Sequence, residues 1–136
     1  MPVFRNLLVA AMSVVVALAP VSPAASSPKK RLTTVADPTI TNGIAVYRRA
    51  GSKPKDYWCN AGDYAARNLG AGSGSALELV RPEGAAGGPS DRQSIGFSVV
   101  AGRGDSGSVT VDRVGERHSI AQTKAFCQSQ RGGRDD

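Results

Sequence analysis

The stretch Ser-Ile-Gly-Phe-Ser-Val-Val at residues 94–100 decides the fold of this chain. Its large apolar side chains Ile95, Phe97 and Val99 alternate with small residues, so the stretch has one apolar face and one small, polar face. Strict alternation over seven positions predicts a half-buried β-strand. The stretch therefore marks one wall of a hydrophobic core.

Similar stretches lie on either side of this strand, separated from it by glycine-rich turns. In residues 76–81, Leu77 and Leu79 alternate with Glu78, and Pro82 ends the segment. Residues 108–114 place two valines on one face. A weaker alternation at 44–47 predicts one more short strand. Strands joined by short turns pair as antiparallel neighbours. We therefore expect a small antiparallel sheet of three to four strands.

Two further stretches have helical spacing. From residue 58 to residue 69 small and apolar residues recur every three or four positions, with Asp56 placed to cap the helix and Gly70 placed to end it. The motif Ser119-Ile-Ala-Gln122 has the spacing of a capping box, which predicts a second helix over 120–128. Two helices and an antiparallel sheet define an α+β fold.

The N-terminus has the three parts of a secretory leader in order: a basic residue at Arg5, an apolar run at 7–18, and small residues at 22–24. The run is shorter than the roughly 20 residues that cross a bilayer. We therefore expect an exported protein, periplasmic or extracellular, with no transmembrane segment in the mature chain. The expected organisation is a signal peptide at 1–24, a flexible tether at 25–38, a single domain at 39–128 and a disordered tail at 129–136.

The two cysteines, Cys59 and Cys127, allow more than one interpretation. An even count in a small exported domain favours a disulfide. A bond between residues 68 positions apart would stabilise the fold by roughly 4 kcal/mol. The alternative is a thiol hydrolase in which Cys59 is the nucleophile and His118, the one histidine, is its base. A third possibility is a pair of unbonded, inert cysteines.

The segment Tyr-Trp-Cys-Asn-Ala-Gly-Asp-Tyr at 57–64 resembles a signature found in small exported proteins of Gram-negative bacteria. The Gly-Pro-Ser at 88–90 and the Ala-Phe-Cys at 125–127 are similar to that group as well. The likeness spans roughly residues 40–127. It implies one domain and a bond between Cys59 and Cys127, and it implies no chemistry, because the group has no established activity.

Trp58 is the single tryptophan, and its helical position predicts the large anchor of the core. The alternative is a stacking platform for a sugar or base, with Tyr57 and Asp63 beside it. These three residues are our candidate binding residues. The sequence shows no cluster of residues at metal-ligand spacing, so we predict neither a metal site nor a cofactor.

The turn at 102–107 contains two motifs that suggest functions. Gly-Asp-Ser-Gly at 104–107 is similar to the nucleophile segment of trypsin-like proteases, but His118 follows Ser106 where a chymotrypsin-type protease needs its base upstream. Arg-Gly-Asp at 103–105 is the tripeptide that integrins bind, and that role requires it at a hairpin tip. We interpret the segment as a turn, because Gly, Asp and Ser are turn formers.

The charge of the chain is positive, with 17 basic and 11 acidic groups. Basic residues concentrate early in the mature chain, at 29–31, at 48–49 and at Lys53 and Lys55. This pattern fits a solvated face or a weak attraction to an anionic envelope surface. Few aromatic residues and the expected export argue against nucleic acid as a partner. We therefore expect a non-catalytic exported domain with a binding or envelope-structural role, with the thiol hydrolase and the anionic-surface binder as alternatives.

Overall fold

The structure of the protein is a computed structural model, and it describes residues 30–129. The elements in chain order are β1 (Thr34–Asp37), β2 (Gly43–Tyr47), α1 (Pro54–Asn68), β3 (Ser75–Arg81), β4 (Ser94–Ala101), β5 (Arg117–Ser119) and α2 (Ile120–Ser129). The strands form one antiparallel sheet in the order β1-β2-β4-β3-β5. The predicted α+β class is confirmed, with five strands in the described residues where we expected three to four.

One face of the sheet builds the core against α1. Six large apolar side chains of the three central strands lie on this face and are at most 1% exposed: Ile44 and Val46 of β2, Leu77 and Leu79 of β3, and Ile95 and Phe97 of β4. Trp58 fills the middle, with its ring centroid 4.8 Å from that of Phe97 in an edge-to-face arrangement. Each large side chain buried in this way stabilises the fold by about 1.5–3 kcal/mol relative to exposure.

The opposite face of the sheet is covered by the side chain of Arg81. A β-bulge between Leu79 and Arg81 shifts the register there, and the arginine lies over Gly96 of β4. A Cβ atom at Gly96 would stand 2.9 Å from Arg81 Cβ, so a glycine is needed at this position. Arg81 Nη2 lies 2.8 Å from Asp37 Oδ2 and donates to Ser94 Oγ at 2.8 Å. The side chain thus ties β3 and β4 to the edge strand β1.

The carboxyl of Asp37 is buried, and burial by itself would raise its pKa. Hydrogen bonds outweigh this effect, because Asp37 Oδ1 accepts from the hydroxyl of Thr39 at 2.5 Å and from its backbone N–H at 2.9 Å, and Arg81 adds its own contact. The pKa of Asp37 is therefore lowered from its ordinary value. Asp37 is held as a carboxylate partner for Arg81.

The two helices pack closely at the positions that the sequence marks. At the start of α2, Ser119 Oγ accepts from the Gln122 N–H at 3.1 Å and Gln122 Oε1 accepts from the Ser119 N–H at 2.9 Å, which confirms the capping box. Gly62 of α1 faces Thr123 of α2 so closely that a Cβ there would overlap the threonine hydroxyl. The small residue at 62 sets the distance between the helices.

The first helix differs from the prediction at its start and agrees at its end. It begins at Pro54 after Lys53, two residues before Asp56. Asp56 is the third residue of the helix and stabilises its N-terminus, because its carboxylate accepts a hydrogen bond from the Lys53 N–H at 2.8 Å. The helix stops before Gly70, which takes a φ of +64° that favours glycine.

Two predicted assignments were wrong, that of residues 34–37 to the tether and that of residues 108–114 to a strand. Residues 34–37, which we assigned to the flexible tether, form β1, and Leu32 before them is only 6% exposed. Residues 108–114 form no strand, because side chains take the hydrogen bonds that a strand would give to a neighbour. The backbone O of Thr110 accepts from the Trp58 indole, and its N–H donates to Glu116.

The remaining predicted segments lie outside the described residues. They are the signal peptide at 1–24, residues 25–29 of the tether and residues 130–136 of the tail.

Candidate functional site

Cys59 and Cys127 form a disulfide that joins α1 to α2, with their Cα atoms 5.1 Å apart. Both residues are buried. This confirms the predicted bond. Neither cysteine has a free thiol, so Cys59 lacks the group that the hydrolase alternative requires.

His118 lies inside the protein as a structural group. It is 1% exposed, and its Nε2 lies 2.8 Å from Oε2 of Glu116, which is also buried. Its ring packs edge to face on Trp58 and on Phe126, at centroid distances of 4.5 and 5.1 Å. Glu116 accepts from both the N–H and the hydroxyl of Thr110. The pair therefore anchors the long segment between β4 and β5 to the core.

Two of the three candidate binding residues are part of the core. Trp58 is 0% exposed and Tyr57 is 2% exposed, so neither presents a stacking face to a ligand. Trp58 is the core anchor that its helical position predicts, and the alternative of a stacking platform would need rings that this packing leaves covered. Asp63 is half-buried at the surface of α1, where its carboxylate lies 2.8 Å from Nε of Arg67.

The turn at 102–107 lies flat against β5. A Cβ at Gly104 would overlap the backbone of His118 and Ser119, and the Ser106 N–H donates to the Arg117 carbonyl at 3.2 Å. Ser106 Oγ accepts the Arg117 N–H at 2.9 Å. The tripeptide at 103–105 is therefore not at a protruding hairpin tip, and the serine hydroxyl is used to hold the turn.

A concentration of positive charge lies at the end of the domain where β2 runs into α1. We call it the basic end, and it consists of Lys30, Arg48, Arg49, Lys53, Lys55 and Arg92, all of them exposed. Three carboxylates lie close to them in the chain, those of Asp56, Glu83 and Asp91. Two of these carboxylates pair with cations of the basic end: Glu83 lies 3.2 Å from Arg48 Nε, and the buried Asp56 lies 3.9 Å from Lys30 Nζ. The other described residues carry seven cations and six carboxylates. Most of the net positive charge of residues 30–129 is thus at this end.

Three contacts bring the segments of the basic end together. Lys30 Nζ donates to the carbonyl of Gly51 at 3.0 Å, which places the start of the described chain on the loop before α1. The Arg48 N–H donates to the Gln93 carbonyl at 2.9 Å, and Arg92 lies 4.6 Å from the ring centroid of Tyr47. These residues lie close together because Tyr47 of β2 pairs with Ser94 of β4, which brings the residues beside them in the chain into contact.

The sequence pattern predicted part of the basic end and missed part of it. The charges at 48–49, Lys53 and Lys55 were recognised as a cluster. Arg92 was missed because it lies some 40 positions away and joins the cluster only through the pairing of β2 with β4. An isolated arginine in a glycine-rich loop gives no local signal for this contact.

Comparisons with known proteins add no relative. No protein family matches the chain. No curated protein and no solved structure is similar to it. Within residues 30–129, no helix is long and apolar enough to cross a membrane, and no group of three or more potential metal-ligating side chains occurs.

Proposed function

We propose that this protein is a non-catalytic exported domain that binds an anionic surface of the cell envelope through its basic end. The observation that carries the proposal is the convergence of six exposed cations from three chain segments. A cation near an anionic lipid surface contributes about 1 kcal/mol to binding, so several together give a useful, reversible attachment. Residues that suggested catalysis have structural tasks instead: Cys59 in a disulfide, His118 in the core and Ser106 in a turn.

The disulfide supports export, because such bonds persist in oxidising compartments outside the cytoplasm. The signal peptide predicted at 1–24 points to the same location. A basic domain released into that space meets phosphate-bearing lipid headgroups and anionic wall polymers, and both present the same chemistry to arginine and lysine.

Co-sedimentation with vesicles tests the proposal. The oxidised protein is incubated with vesicles containing about 30% phosphatidylglycerol and with neutral vesicles, over a range of salt concentrations. We expect binding to anionic vesicles only, and we expect it to fade as salt screens the charges over a Debye length of about 10 Å. A second arm with insoluble cell-wall polymer distinguishes the two sources of anionic groups.

A matched pair of variants locates the surface. The triple variant Arg49→Gln, Lys55→Gln, Arg92→Gln removes three exposed charges from the basic end. Its binding should fall by about 3 kcal/mol, which is roughly a hundredfold in the partition coefficient.

The control variant Arg103→Gln, Arg113→Gln, Lys124→Gln removes three exposed charges elsewhere and should bind much as the original protein does. Equal losses in the two variants would show that net charge acts without a defined surface. Salt-independent binding, or no binding in either arm, would contradict the proposal.

A further inference from the structure

A groove of about 150 Å³ lies between β1 and α1. It adjoins the basic end at Lys30, whose carbonyl accepts from Asn60 Nδ2 at 2.9 Å. Leu32 and Thr34 line it from the strand side, and Asn60, Asp63, Tyr64 and Asn68 line it from the helix. The helical residues lie three to four positions apart and thus form one polar stripe along α1. The Leu32 N–H donates to Asn60 Oδ1 at 3.0 Å, so the strand side and the helix side are joined at one end.

Within residues 30–129, no strand pairs with the outer edge of the sheet beside this groove. Strand β1 is the first in the sheet order and pairs only with β2 among the described residues. The Tyr47 N–H donates to the Thr33 carbonyl, so Thr33 and Tyr47 are a hydrogen-bonded pair of the antiparallel ladder. Hydrogen-bonded and non-hydrogen-bonded pairs alternate along such a ladder. Thr34 and Ala36 therefore direct their backbone N–H and C=O groups away from β2. Strand β1 is short and ends at the buried, charged Asp37 with Pro38 directly after it, which limits pairing beyond that point. Thr34 and Ala36 themselves carry no proline, lysine or bulge, so pairing is possible at these two residues.

Arg31 gives the groove a positive charge that the Asp63 carboxylate does not balance. Arg31 lies at its border, is exposed, and has no carboxylate within ion-pair distance in the part of the chain that the structure describes. Asp63 is already paired with Arg67. A ligand that carries a carboxylate near Arg31 would complete this arrangement.

We propose that the groove binds an extended, acidic polypeptide segment of a partner protein by β-strand addition to β1. The backbone of the segment pairs with Thr34 and Ala36, every second side chain enters the polar groove beside α1, and an aspartate or glutamate faces Arg31. This surface adjoins the basic end at Lys30 but uses different groups, the outer edge of β1 and Arg31, so attachment to a surface and binding of a protein partner can be tested apart.

Selection of a peptide provides the probe. Random dodecapeptides displayed on phage are selected against the oxidised protein, and an enriched peptide is synthesised with a fluorescent label and measured by polarisation. We expect the enriched sequences to contain more aspartate and glutamate than the unselected library. N-methylation of the peptide backbone should weaken binding at every second residue only, because alternate amides face β1.

Variants of the edge complete the test. Ala36→Pro removes an N–H that faces away from β2, so proline is tolerated there while strand addition is blocked. We expect a loss of affinity of roughly tenfold or more, whereas Ala36→Ser, which keeps the N–H, should bind as before. Arg31→Gln should weaken binding about threefold. Binding of Ala36→Pro to anionic vesicles should stay unchanged, which separates this proposal from the function proposed above.

Three results would overturn the inference. The first is a selection that enriches no peptide. The second is a peptide whose affinity depends neither on Ala36→Pro nor on alternate N-methylation. The third is a dimer in sedimentation velocity that Ala36→Pro converts to a monomer, since the edge would then be occupied by a second copy of this chain.

Discussion

Replacing Arg81 with methionine tests the arrangement that covers the second face of the sheet. The side chains of Arg81 and Asp37 are 9% and 0% exposed, and methionine keeps much of the aliphatic volume while removing the charge. The carboxylate of Asp37 would remain buried without its cation. Breaking a buried pair in this way costs about 3–5 kcal/mol. A domain of this size has a total stability of about 5–15 kcal/mol, so the variant should be folded but weakened.

Urea denaturation followed by far-ultraviolet circular dichroism measures the loss. With an m-value of about 1.5 kcal/mol/M, the midpoint should fall by roughly 2–3 M. The control is Arg117→Met, which breaks the pair between Arg117 and Glu78. The Arg117 side chain in that pair is 37% exposed, so the cost should stay below about 1 kcal/mol.

The double variant Arg81→Met, Asp37→Asn distinguishes the cost of losing the ion pair from the cost of burying the Asp37 carboxylate without its cation. Asparagine carries no charge, so much of the cost of the single arginine variant should be recovered, with a coupling energy of roughly 1–3 kcal/mol. A single-variant cost below 1 kcal/mol would refute the reasoning. So would a double variant as unstable as the sum of both single changes.

Three further predictions concern stability. The variant Cys59→Ala, Cys127→Ala should lose about 4 kcal/mol in unfolding free energy because its unfolded chain is no longer cross-linked, and the original protein with reductant should match it in a urea titration. Gly62→Ala should lose about 1–3 kcal/mol by overlap with Thr123, and Thr123→Ala added to it should restore part of the melting temperature; an unchanged melting temperature for Gly62→Ala would contradict the close packing. Because the pKa of Asp37 is lowered in the folded protein, its carboxylate adds stability that is complete above the ordinary pKa of 3.8 and is lost as the pH falls through the pKa of the folded state. The difference in unfolding free energy between the original protein and Asp37→Asn should therefore narrow between neutral pH and about pH 2.5.

Local patterns predicted the elements that local interactions determine. The alternation at 94–100 corresponds to β4, which forms a strand over Ser94–Ala101. The capping box at Ser119 and the stop at Gly70 depend on residues within a few positions of each other, so their sequence signals are complete. The pairing of Cys59 with Cys127 was favoured by their even number together with the expected export, and the structure confirms it.

Features that depend on distant partners were missed. The four residues of β1 show no strong alternation, and they form a strand because β2 offers them an edge. Arg81 has the sequence appearance of an exposed residue, and it is buried because Asp37 pairs with it and because Gly88 and Gly96 leave room for its side chain. The valines at 108–114 have the pattern of a strand, but the Trp58 indole and the Glu116 carboxylate occupy the Thr110 backbone groups. The basic end likewise required the strand order before Arg92 could be placed in it.

The bond between α1 and α2 also affects how the protein responds to proteolysis. All three glycine-containing loops after α1, at 70–74, 84–93 and 102–116, lie inside the segment that Cys59 and Cys127 enclose. A single cut in any of these loops would leave two fragments that are still covalently linked and still share one core. Such a nicked molecule would run as an intact chain on a gel until it is reduced. In a space rich in proteases, the first cleavage therefore would not release a fragment, and degradation would require a second cut or a reductant.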